Sequence, residues 1–302
     1  MYGQGPPWQG APGSQPPQGG SPPAHGGPPV CARHPDRPTG LRCTRCDRPA
    51  CPECLQPASV GQHCVDCLAQ SSRTAPRARN IAGASRTGKS VLVPGLIIAN
   101  VAIFALTVAM AGSLNANYDS WLFRAGALVP AAVGQGEIWR IVTSGFLHIG
   151  PLHLAFNMFA LWIIGREVET VLGRSRFVAV YGVSLLGGSA AVMLLSNPLG
   201  FTAGASGAVF GLMGALVVLL RRLKMPAGQV LTLIAINVGI SLVIPAVSWQ
   251  GHFGGLVFGA AVTAALLYLG VGSPNRRRVQ VAAVAALTLL TFVLIGLGIA
   301  LI

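Results

Sequence analysis

The stretch Gly204-Ala205-Ser206-Gly207-Ala208-Val209-Phe210-Gly211-Leu212-Met213 sets one serine among glycines at the head of an apolar run. Glycine lets a backbone or a bound chain come close, and it accepts dihedrals that other residues avoid. His252, in Gly251-His252-Phe253-Gly254-Gly255, sits in a second apolar run. An ionisable side chain inside such a run is a functional candidate by default. Two questions follow: whether these runs cross a bilayer, and whether the fold brings the serine and the histidine together.

Composition answers the first. Of 302 residues, 52% are hydrophobic and only 10% charged, against about 25% charged in soluble domains. The mean hydropathy is +0.60. Apolar runs at 91–111, 151–166, 177–196, 205–220, 229–246, 251–270 and 280–302 come near the ~20 residues that cross a bilayer. Net charge is +13, and the excess is placed rather than spread. Arg166, Arg174 and Arg176 follow the second run; Arg221, Arg222 and Lys224 the fourth; Arg276, Arg277 and Arg278 the sixth. The loops at 197–204 and 247–250 hold no Lys or Arg, and the long loop 112–150 holds only Arg124 and Arg140. This alternation predicts a multi-pass protein of the cell membrane. Its N-terminus is expected in the cytoplasm, its C-terminus outside, and Ser206 and His252 toward the outer face. The basic excess is thereby accounted for, and nucleic-acid binding is not expected.

Residues 1–30 are rich in Gly, Pro and Gln, too poor in apolar side chains to offset their ordering entropy, and read as a disordered tail. They carry no apolar core of a cleavable signal peptide. Residues 31–67 hold all seven cysteines, in four pairs: Cys31-x2-His34, Cys43-x2-Cys46, Cys51-x2-Cys54 and Cys64-x2-Cys67. Two intervening residues let one turn present two ligands to a tetrahedral zinc, so four pairs make two closed sites. His63 is a ninth candidate. The competing disulfide reading needs an oxidising compartment, which the expected topology does not offer. Which pairs share an ion stays open at this point. Residues 68–90 form a basic juxtamembrane linker. Within it, Gly83 to Ser90 matches the phosphate-loop pattern GxxxxGK[ST], but no strand precedes it and an apolar run follows, so the nucleotide reading is set aside.

Three further polar groups bear on the chemistry. His153 and Asn157 are i and i+4 in the second run and share a helix face, with His148 just before. Two donors aimed at one point beside a serine suit a tetrahedral oxyanion. Gly207 and Gly211 on the fourth run, and Gly251, Gly255 and Gly259 on the sixth, are spaced by four. Small residues at that spacing let helix backbones approach closely in lipid, bringing the Ser206 and His252 faces together. No acidic residue is placed to orient His252, so the expected pair is a Ser-His dyad.

Glu137-Ile138-Trp139-Arg140, Phe146-Leu147-His148, His153-x3-Asn157, Gly204-x-Ser206-Gly207 and His252-x2-Gly255-x3-Gly259 together resemble the rhomboid intramembrane serine proteases, over roughly residues 91–270. The resemblance implies an all-α polytopic fold with a six-helix core at 91–270, to which residues 271–302 add a seventh helix. It implies Ser206 as nucleophile, His252 as general base, His153, Asn157 and the Ser206 amide as the oxyanion site, and a structural role for Trp139 and Arg140. It implies membrane-protein substrates cut in or near their spans, with no cofactor for catalysis. A silent relative that only binds spans would normally lack the serine or the histidine. The cysteine segment is similar to B-box or RING-like cross-braced zinc modules. That likeness implies that the first and third pairs hold one ion and the second and fourth the other, and a cytoplasmic protein is its expected partner.

Overall fold

The computed structural model describes residues 28–74, 90–244 and 247–302, in two units divided at Pro76 and Arg77. The tail up to residue 27, residues 75–89 with nearly all of the phosphate-loop-like segment, and Pro245 lie outside the described residues.

The first unit has little secondary structure. Strands β1 (Val30–Cys31) and β2 (His34–Pro38) form one antiparallel pair, β3 (Leu55–Pro57) and β4 (Gln62–Cys64) another, and α1 (Val65–Thr74) follows. Its buried cluster is six of the cysteines with Ala50 and Leu55. A core of that kind contributes little hydrophobic stabilisation, so the sulfur atoms must be held together by something else.

In the second unit each of the seven apolar runs forms a helix. The first is α2 (Leu92–Ala111), followed by the short helices α3 (Trp121–Gly126), α4 (Pro130–Gly134) and α5 (Arg140–Thr143). The second run is α6 (Gly150–Ala160), which passes through a π turn at Leu161–Gly165 into α7 (Arg166–Leu172). Then come α8 (Arg174–Leu195), α9 (Ser206–Arg222), α10 (Gly228–Val243), α11 (Trp249–Tyr268) and α12 (Arg276–Ala300). Helices α2, α8, α11 and α12 are long and apolar enough to cross a bilayer. A fifth bent span pairs Arg140–Phe146 with Gly150–Leu172 at 91°. At 17 and 16 residues, α9 and α10 are shorter than the others. The 112–150 region, expected as a loop, is mostly short helices.

Three helices make the centre: α8, α9 and α11. A methyl group on Gly255 would overlap the carbonyl oxygen of Gly207, and one on Gly259 would overlap that of Gly211. The expected glycine seam is therefore where α9 and α11 touch. Two glycines of α8 extend it. A Cβ on Gly188 would come within 2.9 Å of Gly251 O and 3.5 Å of Gly207 Cα, and one on Gly254 would overlap Gly187 O. Without hydrophobic gain between helices in lipid, close backbone packing of this kind supplies much of the cohesion.

Two polar contacts fix the flanking helices. Glu169 of α7 is fully buried and accepts from the backbone N–H groups of Val91, Leu92 and Val93 and from Ser90 Oγ. The start of α2 is thus capped by a carboxylate, which suits both its unpaired amides and its dipole. On the other side, Gln280 of α12 donates to Leu266 O at 2.6 Å and accepts from Arg176 Nη2 at 3.0 Å.

Replacing Gly255 by valine is expected to cost at least about 1–3 kcal/mol, because the added atoms meet backbone that cannot yield. A denaturation midpoint in detergent unchanged from wild type would contradict this account of the seam.

Candidate active site

Ser206 is the first residue of α9, so the amides of that first turn have no intrahelical acceptor. The segment leading to it is pinned on one side: Leu128 and Thr202 exchange two backbone hydrogen bonds, and Gly204 N–H donates to Ser144 O at 2.9 Å. The partner segment is itself held by the side chains that follow it. Arg140 donates to the carbonyls of Arg124 and Ala127 and pairs with Glu137; Trp139 Nε1 donates to Ala125 O. Trp139 and Arg140 thus carry the loop.

His153 reaches the same place from α6. Asn117 bridges the start of that helix, donating to His148 O and accepting from Gly150 N–H. A Cβ on Gly204 would stand 2.8 Å from His153 Nε2 and 3.6 Å from Ser206 Oγ. Gly204 also has φ near +134°, which favours glycine, so both its space and its backbone exclude a side chain. His153 Nδ1 accepts from Ile149 N–H at 3.3 Å. A backbone amide can only donate, so in the neutral ring the proton sits on Nε2, the atom beside Gly204. Asn157 Nδ2 donates to His153 O at 2.9 Å and keeps a second proton. His148 is buried against His153, ring centroids 5.2 Å apart, and its Nε2 accepts from Ala205 N–H at 3.4 Å. Its contacts hold the backbone one residue before the serine.

His252 enters on the first turn of α11, whose N-cap Ser248 accepts from Gly251 N–H. Its ring stacks on Phe210 of α9 with centroids 4.0 Å apart and planes 12° apart. Phe210 is one turn beyond Ser206, so the imidazole stands over the helix face that carries the serine. Among the described residues, the hydrogen-bond partner of the His252 ring is Ser241 of α10, whose Oγ lies 2.7 Å from Nδ1, and no hydrogen bond joins the ring to Ser206. Catalytic pairs are often loose until substrate arrives. A cavity of about 30 Å³ opens on Ser206, lined by the hydroxyls of Ser144, Ser189, Thr202 and Ser248 rather than by the histidines. That is room for about one water.

Sequence reasoning missed Phe210 and Ser241. The i+4 spacing from Ser206 could have raised the first. Nothing local marks the second, since a lone serine is ordinary in an apolar span.

With this geometry in hand, the chain can be set beside known proteins. The family model described as the Rhomboid domain matches residues 135–269. The chain belongs to the rhomboid family. It is 35% identical over 208 residues to the Rhomboid protease GluP of Bacillus subtilis, covering 67% of this chain and 40% of that protein. It is 39% identical over 147 residues to RHOMBOID-like protein 5 of Arabidopsis thaliana, 46% and 47% of the two chains. With the Rhomboid protease AarA of Providencia stuartii it shares 27% over 221 residues, 64% and 76% of the two. The chain spans about half the length of the first relatives it matches. The Rhomboid domain and the apolar helices make this a multi-pass membrane protein.

The first unit supplies a different site. Cys31, His34, Cys51 and Cys54 form one group of candidate ligands and Cys43, Cys46, Cys64 and Cys67 another, all ligand atoms within 4.8 Å of one another in each group. His34 Nδ1 lies 3.8 Å from Cys31 Sγ and 3.4 Å from the sulfurs of Cys51 and Cys54; Cys46 and Cys64 sulfurs are 3.8 Å apart. Tetrahedral zinc with bonds of ~2.0–2.3 Å sets ligand atoms ~3.3–3.8 Å apart. The residues fit. First pairs with third and second with fourth, the cross-braced order, and His63 belongs to neither group. Burial and the neighbouring sulfurs of Cys51 and Cys31 push the Cys54 thiol up to about 11, a penalty that a bound cation reverses.

Metal analysis of the intact chain is expected to find two ions per molecule, with Cys54→Ser and Cys67→Ser each losing one and keeping the other. Retention of both ions in either variant would contradict the assignment.

Proposed function

We propose that this chain is an intramembrane serine endopeptidase that hydrolyses peptide bonds in or near the spans of membrane proteins. The observation that carries the reading is the convergence at Gly204. A serine hydroxyl and an Nε2–H donor flank one glycine that has no room for a side chain.

The chemistry then follows from the groups present. His252 accepts the Ser206 hydroxyl proton at Nε2 while Oγ bonds to the substrate carbonyl carbon. Negative charge develops on the carbonyl oxygen. His153 Nε2–H, the spare Asn157 proton and the Ser206 amide at the start of α9 are its donors, with the positive end of the helix dipole behind them. The C–N bond breaks as His252 returns the proton to the leaving amine, leaving an acyl-serine. Water then gives its proton to His252 and its oxygen to the acyl carbon, and the serine is regenerated as the acid departs.

A helical substrate hides its carbonyls in i to i−4 bonds, so the segment must unwind to be cut. Helix-breaking residues near the outer end of a span favour cleavage. The charge alternation supports a cytoplasmic N-terminus and a site opening outward. In the first unit zinc is the ion that suits two closed sets, one of three thiolates with an imidazole and one of four thiolates. Its folding follows the metal, and a cytoplasmic protein partner suits its placement.

Purified enzyme is expected to cleave a model single-span substrate, and Ser206→Ala and His252→Ala to lower the rate by at least about 10³-fold. Undiminished cleavage by Ser206→Ala would overturn the proposal. Zinc as the metal released by a chelator, with loss of the fold of the first unit, is the matching expectation there.

A further inference from the structure

Ser241 is the one buried residue of α10, at 4% exposure, while the helix otherwise turns residues such as Leu242 and Val243 outward. Its hydroxyl has two partners. It lies 2.7 Å from Asn237 O, one turn back on α10, and 2.7 Å from His252 Nδ1. A hydroxyl carries one proton, and a carbonyl oxygen can only accept. The proton therefore goes to Asn237 O, and toward His252 the oxygen can only accept. Nδ1 must then be the protonated nitrogen of the neutral ring, and Nε2 the one with the free lone pair.

A general base needs that lone pair on the side of the proton it takes. Stacking on Phe210 sets the plane of the ring but leaves it free to turn in that plane and says nothing of the proton. Those two freedoms are what the Ser241 contact removes. We propose that Ser241 is a positioning residue for His252, which fixes the imidazole in the Nδ1–H tautomer with Nε2 as base. The role is the one an acidic third residue fills in soluble serine hydrolases. Here a neutral hydroxyl on another helix fills it, so no charge is buried in lipid. The inference rests on the protease reading for its catalytic meaning, but the tautomer it assigns does not.

The test joins kinetics with 15N spectra of histidine-labelled protein, the His252 signals identified by their loss in His252→Gln. In the wild-type chain the Nδ1 signal is expected in the protonated range and Nε2 in the unprotonated range. Ser241→Ala is expected to lower kcat about ten- to a hundredfold with KM little changed, and to move His252 toward the other tautomer or a mixture. Ser241→Thr keeps a hydroxyl that can bond the i−4 carbonyl and is expected to restore both readouts to within about threefold of wild type. A Ser241→Ala enzyme with unchanged kcat and an unchanged Nδ1–H signal would overturn the inference. So would a fall in kcat with the tautomer unchanged, which would mark a merely structural residue. If the wild-type chain cleaves nothing while the tautomer still follows Ser241, the protease reading fails and the assignment of the proton stands.

Discussion

The close approach of α9 and α11 is the constraint on which the rest depends. Glycines at 207, 211, 255 and 259 leave the two backbones in direct contact, with Gly188 of α8 against the same level. At Gly211, Gly255 and Gly259 nothing but hydrogen fits. Only at that separation can the ring of His252 lie flat on Phe210, one turn from Ser206. In water such a seam would be a weak choice, since glycine lowers helix stability. In lipid every backbone bond is kept within the helix, and close packing is the cohesion available.

Around that seam the structure assigns each nitrogen by elimination. Ile149 N–H takes the lone pair of His153 Nδ1, leaving a donor at Nε2. Ala205 N–H takes the lone pair of His148 Nε2. Three histidines of one ring type thus stand in three hydrogen-bonding situations, set by which backbone or hydroxyl group each meets. The cysteine unit follows the same economy of local rules: four pairs of candidate ligands, each on one turn, interleaved so that neither group is complete until most of the unit has folded.

Much of this was legible in the sequence because it depended on spacing. Apolar runs gave the seven helices, the spacing of glycines gave their central contact, and two-residue gaps between cysteines gave the ligand pairs. The cross-braced order came by resemblance. What escaped the sequence depends on contacts between distant residues of ordinary type. Ser241 is a neutral residue in an apolar helix, and its meaning lies in a ring that reaches it from α11. Nothing in the sequence around Glu169 names its partners, and only its four donors at the start of α2 reveal what it holds. Gly187 and Gly188 are adjacent rather than spaced by four, so the pattern that exposed the other glycines passed over them. The turns of 112–150 are too short for a periodic signal, though they carry the loop that pins Gly204.

The central claim is that Ser206 is a nucleophile activated by His252. A fluorophosphonate added to the intact chain in detergent, followed by mass spectrometry of the peptides, tests it most directly. The account predicts covalent labelling at Ser206, abolished in His252→Ala. Labelling at another residue, or labelling of Ser206 that persists at the wild-type rate without His252, would contradict it.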